Sequence, residues 1–210
     1  MFYFLKSNFK ISKYLFNVLT IIFLICFSFI SFADSKNSSI ENVYQLLQDK
    51  KFEEGIKTLQ ILSKNNDINA QLLLSKIFFS GDITPQDFEN SYLWATSSLL
   101  GGLKKSKIII EKLNNYLSDK QIKSIKEKVR SFLEKRALKK DKRAIIQIAK
   151  FYEQLIDPPD MINSYTWYNI AVASGIKSAK NKRDEILNEL NEKDLLEAQA
   201  LAIKMFKDIK

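Results

Sequence analysis

Apolar residues from Ala70 to Phe79 (AQLLLSKIFF), and again from Ala144 to Phe151 (AIIQIAKF), recur at helical spacing without the strict alternation of a strand. Each run predicts an α-helix. A loop around Pro85, or around Pro158-Pro159, stops that helix. Asp87 and Asp160 then stand where a side-chain oxygen can accept the orphan N–H groups that open a second helix. The second helix ends at Gly102 or Gly175, where a left-handed cap costs glycine little. A third helix is expected from about Leu103 or Ile176 to Leu117 or Leu190, with Ser118 and Asn191 as caps for a fourth.

The parallel wording reflects an internal repeat. Residues 90–102 read NSYLWATSSLLGG and residues 163–175 read NSYTWYNIAVASG. A shift of 73, which takes Trp94 to Trp167, also pairs Pro85 with Pro158, Asp87 with Asp160 and Tyr92 with Tyr165. Further on it pairs Gly102 with Gly175, Asn115 with Asn188 and Leu117 with Leu190. Upstream of the prolines the better shift is 74, pairing Ala70 with Ala144, Leu74 with Ile148 and Phe78 with Tyr152. A loop one residue shorter in the second copy accounts for the change. Four helices per unit make two helical hairpins. Tyr92 and Trp94, two apart, point to different faces of their helix, with small residues such as Ala95, Ser98, Ala171 and Ala173 between the large ones. Tyr92, Trp94, Gly102, Tyr165, Trp167 and Gly175 therefore form a structural signature: helices packed on both sides, as in a stacked solenoid.

Ala70-Gln71-x-x-Leu74-Ser75-x-x-Phe78-x-x-Gly81, followed by Pro85-Gln86-Asp87-Phe88, Ser91-x-x-Trp94 and Gly102, resembles the Sel-one-like repeat, a tetratricopeptide-like helix hairpin. Lys51-Phe52-Glu53-Glu54-Gly55 and Asn66-Asp67 look like the half-repeat that opens such domains. Ser164-Tyr165-x-Trp167-Tyr168-Asn169-x-Ala171 to Gly175, Ala179 and Glu197-Ala198-Gln199 are similar to a C-terminal version. Ser91, Ser164 and Gly55 depart from the family's alanine, and Leu155 from its loop glycine. The resemblance implies an all-α, right-handed α-solenoid of stacked antiparallel hairpins. It also implies a protein–protein adaptor, of a kind often found in bacterial envelopes. The repeat domain is expected over residues 43–210, as an opening hairpin (43–69), unit one (70–140) and unit two (141–210).

The N-terminal stretch follows a different pattern. Lys6, Lys10 and Lys13 lead into an apolar run from Tyr14 to Ile30, and Ser31-Phe32-Ala33 offers a small-x-small cleavage site. These features predict a signal peptide over residues 1–33 and a flexible leader over 34–42. The alternative is an uncleaved anchor, since Tyr14 to Phe32 is about long enough to span a bilayer. Either reading exports the rest of the chain, to the periplasm or beyond, or leaves it tethered to the inner membrane facing the periplasm. Lipidation at Cys26 is disfavoured by the bulky Leu24-Ile25 before it.

Cys26 is the single cysteine and there is no histidine. With neither residue after Ala33, a Ser-His-Asp triad, a Cys-His pair and a usual zinc site are excluded. No catalytic residue, cofactor or metal is expected. Ser174-Gly175-Ile176-Lys177 has the Ser-x-x-Lys spacing of some acyl-transfer enzymes, and Asp157-Pro158-Pro159-Asp160 could pass for a carboxylate pair. A glycine turn and a loop with a helix cap explain them better. Asn37-Ser38-Ser39 is an acceptor sequon only in a glycosylating pathway.

Charge adds one further candidate. Lys120 to Arg143 holds eleven Lys or Arg against Glu127, Glu134 and Asp141, whereas the matching stretch Lys193 to Lys207 is nearly balanced. With Ile122, Ile125, Val129, Phe132 and Leu133 as an apolar stripe, the segment predicts a docked helix that is basic on its outer side. Lys123, Lys126, Lys128 and Arg130 are the candidates for an anionic partner, an envelope glycan or a lipid headgroup. The competing reading is a solvated helix face. Export disfavours nucleic acid as the partner.

Overall fold

The computed structural model describes residues 39–209. The expected signal segment lies outside that range, as do residues 34–38 of the expected leader. The described residues form ten α-helices and no strand: α1 (Ile40–Gln48), α2 (Phe52–Lys64), α3 (Ile68–Ser80), α4 (Phe88–Leu100), α5 (Lys107–Leu113), α6 (Asp119–Ala137), α7 (Lys142–Gln154), α8 (Met161–Ala173), α9 (Lys180–Leu187) and α10 (Glu192–Asp208). Short 3-10 turns, Lys104–Ser106 and Lys177–Ala179, precede α5 and α9. Among the described residues no helix is long and apolar enough to cross a membrane.

The described residues fall into two compact units that divide between Thr58 and Leu59. In the first, Ser39 caps α1 by accepting the Asn42 N–H at 3.1 Å, so Ile40 to Asn42 of the expected leader are already helical. Val43 and Leu46 are buried. A Cβ at Gly55 would lie 3.0 Å from Leu47 Cδ2, so a side chain there would require Leu47 to shift.

The second unit contains the repeat. Both α3 and α7 are 13 residues long and start 74 apart, and both α4 and α8 are 13 residues long and start 73 apart. Asp67, Asp87, Asp141 and Asp160 each cap the following helix with a carboxylate oxygen. Ser118 and Asn191 cap α6 and α10, Ser118 in a reciprocal capping box with Gln121. Gly102 and Gly175 adopt φ of 105° and 81°, the left-handed region that favours glycine. The third helix of each unit is shorter than expected. Leu103 N–H returns to Ser98 O at 3.2 Å and Ile176 N–H to Ala171 O at 3.0 Å. The chain then needs a 3-10 turn before α5 and α9 begin.

Within this unit α3 packs along α4 and α7 along α8, while α4 also meets α5, α6 and α7, and α8 meets α9 and α10. Tyr92 joins a buried cluster with Leu72, Ala95, Leu113 and Ile125. Trp94 instead sets its ring edge-on against Phe132 of α6, 5.8 Å between centroids. Residues two apart thus serve two neighbours, the arrangement a helix stack requires. Trp167, 1% exposed, and Tyr165 sit with Ile148, Phe151, Ala198 and Ala202 in the larger core.

Serines satisfy a close helix crossing. Ser75 Oγ donates to Ser91 O at 2.9 Å and Ser91 Oγ to Ser75 O at 2.8 Å. Ser164 Oγ donates to Ala149 O at 3.2 Å in the second copy. Buried hydroxyls placed there find carbonyl partners, so they cost little.

Candidate functional site

Residues 120–143 do not form one basic helix. They comprise most of α6, a turn, and the start of α7. Ile125, Val129 and Leu133 are buried and Ile122 and Phe132 half-buried, as the stripe requires. The cations face several ways. Lys126 Nζ donates to Leu155 O at 2.8 Å, at the C-cap of α7. Arg130 holds Glu127 at 2.9 Å and Glu134 at 2.8 Å. Burial opposes the Arg130 charge, but Glu127 and Glu134 outweigh it and hold the guanidinium above its already high value. Burial, then Glu134, pushes the Tyr152 phenol beside them up to about 12. Lys128 reaches Glu89 at 3.4 Å in an exposed pair. Only Lys123, of the four candidates, is exposed and without an ion pair among the described residues.

Two more cations of this segment turn inward, onto the end of α2. Arg136 donates to Lys64 O at 2.6 Å and Asn65 O at 3.2 Å, and Arg143 to Asn66 O at 2.6 Å. Carbonyls at a helix C-terminus lack intrahelical donors and carry the negative end of its dipole, so a guanidinium there satisfies both needs. Asn66, in the left-handed region at φ 64°, is itself buried and donates to Gln147 Oε1 at 2.6 Å. Gln147 passes the chain on to Ser97 O at 3.1 Å, and Gln71 donates to Asn66 Oδ1 at 3.1 Å. Asp141 takes Arg136 Nε at 2.6 Å while capping α7. Burial works against its charge, but Arg136, the Ala144 N–H and Asn66 more than offset this and hold the carboxyl below its usual value. Sequence reasoning missed this network. Its available signal was Gln147, a polar residue at a core position of an otherwise apolar helix.

A groove of about 390 Å³ lies between α7 and α9. Ile146, Lys150, Glu153 and Gln154 form one wall, Ser178, Ala179 and Lys182 the other, and Tyr168 contributes from α8. Glu153 receives Lys182 Nζ at 2.8 Å and the Tyr168 hydroxyl at 3.1 Å. Burial first, and Glu153 second, drives the Tyr168 phenol upward, so it stays a hydrogen-bond donor at neutral pH. The hydrogen bond to Glu153 raises Lys182, against the smaller pull of burial. The Lys150 ammonium contacts Leu100 O at 3.4 Å, at the end of α4. Opposite charges, held on rigid helices, therefore line an open groove.

The motifs weighed for catalysis occupy turns. Ser174 is the C-cap of α8, its N–H on Ile170 O at 2.8 Å, and Lys177 opens the 3-10 turn after Gly175. Asp160 accepts the Asn163 N–H at 3.0 Å and its amide at 2.7 Å as the α8 cap. Of the sequon, Asn37 and Ser38 lie outside the described residues. Among the described residues no three His, Cys, Asp or Glu side chains gather as a metal site would require.

No family model matches the chain, and no curated protein does. Among solved structures it is similar to the crystal structure of a protective antigen present in uropathogenic Escherichia coli strains, displaying an SLR fold. Identity is 12% and the TM-score 0.37, over 74% of this chain and 41% of that one. The chain spans less than half the length of that protein. The all-α assignment rests on the ten helices and their pairwise packing.

Proposed function

We propose that the chain is a noncatalytic helical-repeat adaptor that binds a segment of another protein in the groove between α7 and α9. The observation that carries this reading is the groove itself: Lys150, Glu153, Lys182 and Tyr168 present donors and acceptors already oriented by one another. Preorganised polar groups on rigid helices lose little entropy when a partner binds. The basic N-terminal lead and apolar run support a place in the bacterial envelope, reached by export.

The test is affinity capture from envelope extract with the native chain, with Ser178→Arg, which fills the exposed groove mouth, and with Lys150→Glu. The expected result is one discrete partner that survives a high-salt wash and is lost in both variants at unchanged thermal stability. A partner retained by both variants overturns the assignment of the groove.

A second reading is binding of an anionic glycan or lipid headgroup along the outer side of α6. It is favoured by Lys120, Lys123 and Lys135, which are exposed and carry no ion pair among the described residues. Such binding would weaken steeply with salt and disappear with Lys120→Gln, Lys123→Gln and Lys135→Gln combined.

A further inference from the structure

Among the described residues, helix α10 leaves apolar side chains on its outer side uncovered. On its repeat-equivalent helix α6 the positions matching Leu196, Ala200 and Ile203 are charged, Lys123, Glu127 and Arg130, and it is the adjoining positions that α7 covers: Leu133 is fully buried, Lys126 reaches Leu155 O, and Glu134 receives the Tyr152 hydroxyl. A shift of 73 carries Arg130 to Ile203 and Leu133 to Phe206. Ile203 is 63% exposed, Phe206 42%, and Leu196, one helical face further back, 59%. That side presents an apolar stripe, Leu196, Ala200 and Ile203, with Glu192 at its beginning and Lys207 at its end.

We propose that this stripe binds a second copy of the chain, two α10 helices packing antiparallel across a two-fold axis between Gln199 and Ala200. The order of residues is self-complementary about that point. Leu196 falls opposite the second copy's Ile203, seven residues apart in each chain and thus about two helical turns. Glu192 falls opposite the second copy's Lys207, and both are exposed and without an ion pair among the described residues. An isologous contact repeats each pairing twice. A 17-residue helix gives a contact at the small end of the interface range, below about 1,200 Å², so association depends on concentration. The inference does not rest on the groove between α7 and α9.

Sedimentation velocity of the full chain in a mild nonionic detergent, over a wide concentration range, tests it. The native chain is expected to pass from monomer to dimer. Ile203→Glu abolishes the dimer while thermal unfolding stays unchanged, because that side chain is mostly in water. Glu192→Lys alone and Lys207→Glu alone each weaken the dimer about tenfold, and the two together restore it. Three results overturn the proposal: a monomer at every concentration, which would leave the stripe to a different protein; a dimer indifferent to Ile203→Glu, which would place self-association elsewhere, the N-terminal apolar run included; or no rescue in the double variant, which would exclude the antiparallel register.

Discussion

Helices α6 and α10 occupy the same place in the two repeats, yet their chemistry is reversed relative to their surroundings. Where α6 meets α7 it presents Lys126, Arg130 and Glu134, each with a partner. Where α10 faces water it presents Leu196 and Ile203. Repeat position sets the backbone and the buried stripe, Ile125 and Val129 in one helix and Ala198 and Ala202 in the other, all buried. The neighbour beyond the stripe sets everything else. A covered face can hold charge when the partner supplies the opposite charge or a carbonyl. A bare apolar face marks a contact still to be made.

The largest expected effect tests how each unit holds its fourth helix. Trp167→Ala should cost roughly 3–5 kcal/mol, and Trp94→Ala the lower part of that range, since Trp94 is 8% exposed and Trp167 1%. Denaturant unfolding of the two variants measures this. Equal wild-type stability in both would dismantle the stacked-core account. Next, Leu133→Ala should cost about 2–5 kcal/mol, whereas Phe206→Ala, its repeat equivalent, should cost no more than about 1 kcal/mol in dilute monomer. Comparable losses would mean that α10 is as covered as α6.

A further effect concerns the cations that only α6 and α7 direct onto α2. Arg136→Gln should cost about 1–3 kcal/mol at neutral pH by leaving Asp141 and the α2 carbonyls with fewer donors. Asp141 has a lowered folded-state pKa. Its contribution is therefore present above the unfolded value of about 3.9 and is lost as pH falls through the lower folded value. Melting temperatures followed from pH 7 to pH 2 should show that acid-side loss in the native chain and a shallower one in Arg136→Gln. Parallel profiles would remove Asp141–Arg136 as its source.

Much of the fold was legible because its signals are local. Asp87, Asp160, Ser118 and Asn191 cap helices within three residues of themselves. Gly102 and Gly175 mark left-handed turns, and the change of shift from 73 to 74 marks a loop of one residue fewer. The candidate site was far less legible. Lys126 finds its acceptor 29 residues away and Arg136 finds its own 72 residues away. Both acceptors are main-chain carbonyls, which carry no residue-specific signature. Counting charges along the chain could therefore locate a basic segment but not tell which of its cations face water. The groove between α7 and α9 was invisible for a related reason, since its walls come from two helices and its floor from a third.

The sequence by itself determined where most of the helices begin and end, that they repeat, and which stripe of each is buried, because capping, glycine turns and apolar spacing act within a turn or two of chain. The tertiary structure decided which lysines and arginines close helix ends. It also decided why Gly101 lacks a side chain, a Cβ there running into Ile68, and which equivalent helix is left bare. Each of those depends on what a distant segment brings into contact, and a backbone carbonyl or an empty flank is written in no residue's identity.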